Sequence, residues 1–118
     1  MSRTPARFTQ ADVHEALKAP PTGHVYFLLD VDADAFKIGF SKHPYERYKN
    51  LCTGSVNDIA FYGSIPGTKD AEHAMHRAFR HLHIRREWYR YCSELLNFIE
   101  DLAEDYDPIF PGGPVPMR

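Results

Sequence analysis

The sequence predicts an α+β fold, a small three-stranded antiparallel sheet flanked by helices. Three observations lead there. Two short runs rich in aromatic and β-branched residues, "HVYFLL" (24–29) and "AFKIGF" (35–40), are joined by the polar stretch "DVDADA" (30–35), which reads as a hairpin. A third such run, "DIAFYGSI" (58–65), closes on Pro66-Gly67. Later segments repeat apolar residues at helical spacing. A length of 118 residues suits one domain with a modest core. With 43% hydrophobic and 14% aromatic residues, the chain is too apolar to be disordered over most of its length.

Taken in order, "TQADVHEALKAPP" (9–21) is a short helix, with Thr9 as cap and Asp12 in the capping-box position. Val13, Ala16 and Leu17 form a thin stripe, and Pro20-Pro21 end it. Residues 1–22 therefore read as a helical lead-in rather than part of the core. In the hairpin turn, Asp30, Asp32 and Asp34 alternate as in a calcium loop. That loop needs glycine sixth and glutamate twelfth, where this chain has Ala35 and Ser41, so the stretch is an acidic turn. Gly39 reads as the point where the chain leaves the second strand.

"HPYERYKNLCTG" (43–54) is a helix with Pro44 in its first turn, Tyr45, Tyr48 and Leu51 on one face, and Gly54 as its stop. "TKDAEHAMHRAFRHLHI" (68–84) is the longest helix, capped by Thr68, with Ala71, Met75, Ala78, Phe79 and Leu82 facing inward. "EWYRY" (87–91) is short and aromatic. "SELLNFIEDLAEDY" (93–106) is amphipathic, with Leu95, Leu96, Ile99, Leu102 and Ala103 inward. The domain so defined runs 23–106, and the Pro/Gly-rich tail 107–118 is ordered only where it docks.

Charge narrows the function. The formal net charge is -2, yet residues 37–90 hold ten Lys/Arg against five Asp/Glu, and residues 91–118 hold one against six. A basic middle between acidic ends points to an anionic partner. Lys42, Arg77, Arg80, Arg85, Arg86 and Arg90, with His81 and His83 among them, supply the positive surface expected to contact a DNA backbone, double-stranded by preference. Such contacts carry little sequence specificity. No apolar run approaches the roughly 20 residues of a membrane span, and the N-terminus lacks a signal-peptide pattern, so a cytoplasmic location without a membrane partner is expected. Cys52 and Cys92 form no CxxC and read as free thiols. His73, His76, His81 and His83 have zinc-like spacings, but neither cysteine is placed to complete a structural site.

The chemistry-bearing residues converge in this layout. Tyr26 and Lys37 lie on adjacent antiparallel strands, Arg47 lies one turn into the next helix, and Glu72 starts the long helix. A carboxylate that holds a divalent metal, an arginine for phosphate charge, and a tyrosine or lysine to orient water make a phosphodiester-cleaving set. Here the chain resembles the GIY-YIG nuclease superfamily. "HVY" (24–26) stands where that family has GIY, "KIG" (37–39) where it has YIG, and Arg47 and Glu72 match its helix arginine and metal-binding glutamate. "AEHAMHRAF" (71–79) followed by "REWYRY" (86–91) resembles the phage-related DNA-binding branch in particular.

The resemblance implies a metal-dependent DNA endonuclease using one Mg²⁺ or Mn²⁺. Tyr26 acts as general base or orients the attacking water, Lys37 supports it or grips a phosphate, and Arg47 stabilises the transition state. Glu72 binds the metal, and His76, one turn along on the same face, bonds a phosphate or Glu72. Glu87 reads as the salt-bridged neighbour of a core Trp88. Lys37 stands where the family has its second tyrosine, which favours an alternative: a catalytically weak or inactive nucleic-acid-binding module on the same fold. A third reading is a protein-interaction domain, with a homodimer built on the acidic C-terminal helix.

Overall fold

The computed structural model describes residues 10–105, with side chains as far as residue 102. The polypeptide runs α1 (Gln10–Ala16), β1 (Gly23–Asp30), β2 (Ala35–Ser41), α2 (Pro44–Thr53), β3 (Ile59–Gly67), α3 (Lys69–Ala78), a 3-10 turn (Arg80–Leu82), β4 (His83–Arg85), β5 (Trp88–Arg90) and α4 (Ser93–Asp105). The strands form one sheet in the order β3-β1-β2-β5-β4, with every adjacent pair antiparallel. The α+β class and the antiparallel grouping of β1, β2 and β3 are as the sequence predicts, with β1 central between β2 and β3.

The sheet has five strands, however, not three. β4 and β5 are three residues each, "HIR" and "WYR", too short and too charged to show a period of two. The predicted long helix is correspondingly shorter. It ends at Ala78, and its expected last turns become the 3-10 turn and β4. Arg86 takes a positive φ of 51° at the hairpin tip, a conformation uncommon for a residue with a Cβ. β5 then zips onto β2 through Ala35↔Arg90, Phe36↔Tyr89 and Lys37↔Trp88.

The two faces of the sheet are covered unequally. On one, Val25, Phe27, Leu29, Phe36, Ile38 and Ile65 are buried under α1, α3 and α4. Ala71, Ala74, Met75 and Phe79 of α3, with Leu95, Phe98, Ile99 and Leu102 of α4, complete this main core. The Thr68 hydroxyl accepts from Ala71 N at 3.1 Å, so α3 starts on the predicted cap. α1 belongs to the core as well: Val13 is fully buried and Leu17 nearly so, which corrects the reading of this segment as a lead-in. α1 packs along α3, whose buried residues include the small Ala71 and Ala74. The predicted cap Thr9 and tail 107–118 lie outside the described residues.

On the other face, Tyr26, Leu28, Ile59 and Phe61 carry α2 alone, through Tyr48, Leu51 and Cys52, with Trp88 at the margin. Every α2 residue is half-buried or exposed. The Tyr48 hydroxyl donates to the Ile59 carbonyl at 3.0 Å and anchors the helix. Burial raises its pKa to about 12, with Cys52 adding to the effect. Asp30 organises the hairpin turn by accepting from the Asp32 and Ala33 amides, and it accepts from Asn57 Nδ2 at 2.8 Å. Asp32 accepts from the Asp58 amide. The acidic turn thus ties the hairpin to the α2–β3 loop. Both cysteines are free. Among the described residues, no helix is long and apolar enough to cross a membrane.

Candidate active site

β-sheet alternation puts Tyr26, Leu28, Lys37 and Gly39 on the α2 face. The register sets Tyr26 opposite Gly39 and Lys37 opposite Leu28, so tyrosine and lysine are diagonal neighbours rather than a facing pair. Gly39 lies inside β2, and its role differs from the strand exit that the sequence suggests. A Cβ there would collide with the Tyr26 ring and hydroxyl, so the missing side chain is what seats the tyrosine. Tyr26 is 1% exposed. Burial raises the pKa of its phenol, opposed by a hydrogen bond and the positive charge of Arg47, while Glu87 and Glu72 push it further up. Arg47, exposed on α2, is thus a hydrogen-bonding and charged neighbour of the Tyr26 phenol.

Glu72 arrives from the other side of the sheet. β5 pairs with β2 only as far as Lys37, and Ile38 N donates to the Glu87 carbonyl just beyond. This leaves the Ile38 carbonyl for α3, where His76 Nε2 meets it at 2.9 Å. A carbonyl only accepts, so Nε2 carries the proton and donates. The same nitrogen stands 3.8 Å from Glu72 Oε2, and His73 Nε2 stands 3.7 Å from Oε1. The i, i+4 pairing of Glu72 and His76 is as expected. Glu72 is 1% exposed, and burial holds its carboxyl above the usual glutamate range, with His76, Lys69 and His73 opposing and Glu87 adding.

Lys37 is buried and ion-paired to Glu87 Oε1 at 2.5 Å, with Nζ 5.9 Å from the centre of the Trp88 ring. Glu87 is therefore more than a neighbour of Trp88. It touches Lys37 directly, and its charge is felt by Tyr26, Glu72 and Tyr89. Tyr89 packs against His76 with tilted rings, centres 5.5 Å apart, and its pKa is pushed to about 12 by burial first and then by the two glutamates. Sequence reasoning left Glu87 out of the site. The available signal was a carboxylate beside the chain's single tryptophan.

Tyr26, Lys37, Arg47, Glu72 and His76 thus gather with Glu87 around one stretch of β2, drawn from two strands, two helices and the β4–β5 turn. A family model for the T5orf172 domain matches residues 23–104. The chain belongs to that family. T5orf172 domains are phage-associated and linked to nucleases and DNA binding, in keeping with the phage-related branch that the motifs resemble. No curated protein and no solved structure matches the chain. The T5orf172 match takes in every one of the gathered residues and leaves α1 outside.

The basic residues of this T5orf172 domain are distributed differently from the expected helix face. Arg77 ends α3, Arg80 lies in the 3-10 turn, and Arg85, Arg86 and Arg90 ride the β4–β5 hairpin, all exposed, while Lys42 follows β2. His83 Nε2 donates to the Arg86 carbonyl at 2.7 Å and fixes the hairpin tip. His81 is engaged by Glu94 at 2.9 Å. Among the described residues, no three His, Cys, Asp or Glu side chains converge as a metal site. A magnesium-type ion keeps most of its waters and takes one or two carboxylates plus substrate phosphate. Glu72, with Glu87 close enough to act on it, fits that sparse donor set.

Proposed function

We propose that this domain is a divalent-metal-dependent endonuclease that hydrolyses DNA phosphodiester bonds. The observation that supports it is the convergence of the Tyr26–Arg47 pair with the buried Glu72 around β2. In this reading Glu72 holds one Mg²⁺ or Mn²⁺, which when bound supplies Lewis-acid polarisation of the phosphate. Tyr26, whose phenol keeps its proton at neutral pH, orients the attacking water rather than ionising to abstract its proton. Arg47 neutralises charge that develops on the phosphate oxygens. Lys37, anchored by Glu87, adds a fixed cation beside them. His76 holds the β2 edge through the Ile38 carbonyl, keeping Glu72 in register with Tyr26.

The test is nicking of supercoiled plasmid with Mg²⁺ or Mn²⁺. Tyr26→Phe and Glu72→Ala are each expected to cost on the order of 100-fold or more, the usual scale for a positioned catalytic group. Nicking that survives both substitutions would rule the reading out. The Lys37–Glu87 pair favours a second reading, a nucleic-acid-binding module without catalysis. It predicts salt-sensitive DNA binding that charge reversal at Arg80, Arg85 and Arg86 abolishes, with no cleavage under any metal.

A further inference from the structure

On the α2 face, beside the gathered residues, the sheet is not fully covered. α2 and the loop after it stop short of the β4–β5 hairpin, leaving an open groove of about 720 Å³. Its floor is Leu51, Ile59 and Trp88, and its rims are Val56 on one side and Ile84 and Arg85 on the other. The rims are apolar side chains held out in solvent: Val56 is fully exposed and Ile84 is 49% exposed. The one carboxylate in the lining, Asp30, is 8% exposed and already accepts from two turn amides and Asn57.

Three features say what fits there. The volume is that of a small-ligand site, in the usual range of about 300–1,000 Å³. The floor offers an indole and aliphatic surface, which suits a flat apolar face and gives a phosphate nothing. One cation, Arg85, stands in the lining with Arg86 next to it on the hairpin, while Lys37, paired with Glu87 outside the lining, has its Nζ 5.9 Å from the centre of the same Trp88 ring. An apolar slot floored by an indole, with an arginine on its rim, matches a nucleotide segment whose base is out of its stack. A fully paired duplex hides its base faces and has nothing to place on that floor.

We propose that the groove receives an unpaired, unstacked base, and that the substrate class is nucleic acid with single-stranded or distorted character at the cut site. This rests on the nuclease reading for the position of the phosphate. Trp88 becomes the stacking platform that holds the strand while the adjacent phosphate lies against Lys37 and Arg47.

Trp88 is the chain's single tryptophan, so its emission reports the groove directly. The full chain is titrated in EDTA with a short single-stranded oligonucleotide, with a blunt duplex of the same sequence, and with that duplex carrying one bulged base. Binding is followed in parallel by anisotropy of a label on the DNA. Saturable quenching of Trp88 is expected for the single strand and the bulged duplex, with affinity at least tenfold above the blunt duplex. Val56→Ser with Ile84→Ser, both on the exposed rim, is expected to erase that preference while leaving blunt-duplex binding in place. Equal binding of all three DNAs, or binding that leaves Trp88 emission unchanged, overturns the groove assignment and spares the nuclease reading. No binding of any DNA also overturns the groove assignment, while the nuclease reading stands or falls on the nicking test. A Trp88 change on concentrating the protein alone, with a dimer mass by light scattering, assigns the groove to a second copy and likewise overturns the proposal.

Discussion

The two faces of the sheet differ in what covers them. Three helices close the Val25–Phe27–Leu29 face, where the buried side chains are apolar apart from Glu72 of α3 and Phe79 and Phe98 meet at 5.2 Å between ring centres. A single marginal helix sits on the Tyr26–Leu28 face, where Lys37 and Tyr26 are buried next to Arg47 and Trp88. Stability is concentrated on one side, which frees the other to hold polar groups at low exposure. Such groups weaken a core unless paired. Here Lys37 is paired with Glu87 and Tyr26 with Arg47, whereas the Ser64 hydroxyl, opposite Tyr26 on β3, is buried without a hydrogen-bond partner among the described residues.

Truncation gives the sharpest contrast. Phe79→Ala in the three-helix core is expected to cost about 3–5 kcal/mol by denaturant titration. Leu51→Ala under α2 should cost less than half as much, because its site is already half-open. Similar losses at the two positions would erase the distinction between the faces.

Gly39→Ala comes next, at about 1–3 kcal/mol, the usual cost of overpacking. Its added methyl must displace the Tyr26 ring, so any DNA nicking should fall far more than stability does. A variant that nicks normally would show that Tyr26 need not sit where it does.

The Lys37–Glu87 pair should respond asymmetrically. Glu87→Gln leaves Lys37 buried without its counter-charge and is expected to lose about 1–2 kcal/mol, less than for a wholly buried pair because Glu87 is 41% exposed. Lys37→Met, which removes the buried charge itself, should be close to neutral. Equal losses would mean that the pair is a net source of stability.

The smallest effect should be one of sign. The Glu72 carboxyl is raised by burial, so the folded state favours its protonated form. Its contribution is fully present below the unfolded value of 4.5 and is lost as pH rises through the raised folded value. Glu72→Gln is therefore expected to melt at a higher temperature than wild type at neutral pH, with the gap closing below pH 4.5. A lower melting temperature for the variant at neutral pH would show that His73 and His76 more than compensate the buried charge.

Much of this was legible in the chain. The β1–β2 hairpin announced itself by aromatic and β-branched runs flanking an acidic turn, and α3 by the Thr68 cap and its apolar stripe. Tyr26, Lys37, Arg47, Glu72 and His76 stood out as a set through the resemblance of their segments to a known family rather than through spacing alone. β4 and β5 were not legible, since three-residue strands show no periodicity and Leu82 and Ile84 prolong the α3 pattern. The burial of Val13 and Leu17 was also hidden, because a thin stripe reads as marginal until α3 is seen packed beside it.

By itself the sequence determined the α+β class, the order of the main elements and the residue types available for chemistry, because these follow from local period, capping and charge. Only the tertiary structure decided how those residues meet. Strand register put Gly39 rather than Lys37 opposite Tyr26. The β2–β5 ladder stops at Trp88, where β5 begins, which opened the Ile38 carbonyl to His76, and the β4–β5 hairpin brought Glu87 to Lys37 and Trp88 to the edge of a groove. These depend on pairings between residues far apart in the chain, such as Lys37 and Glu87, and no local pattern encodes such a pairing.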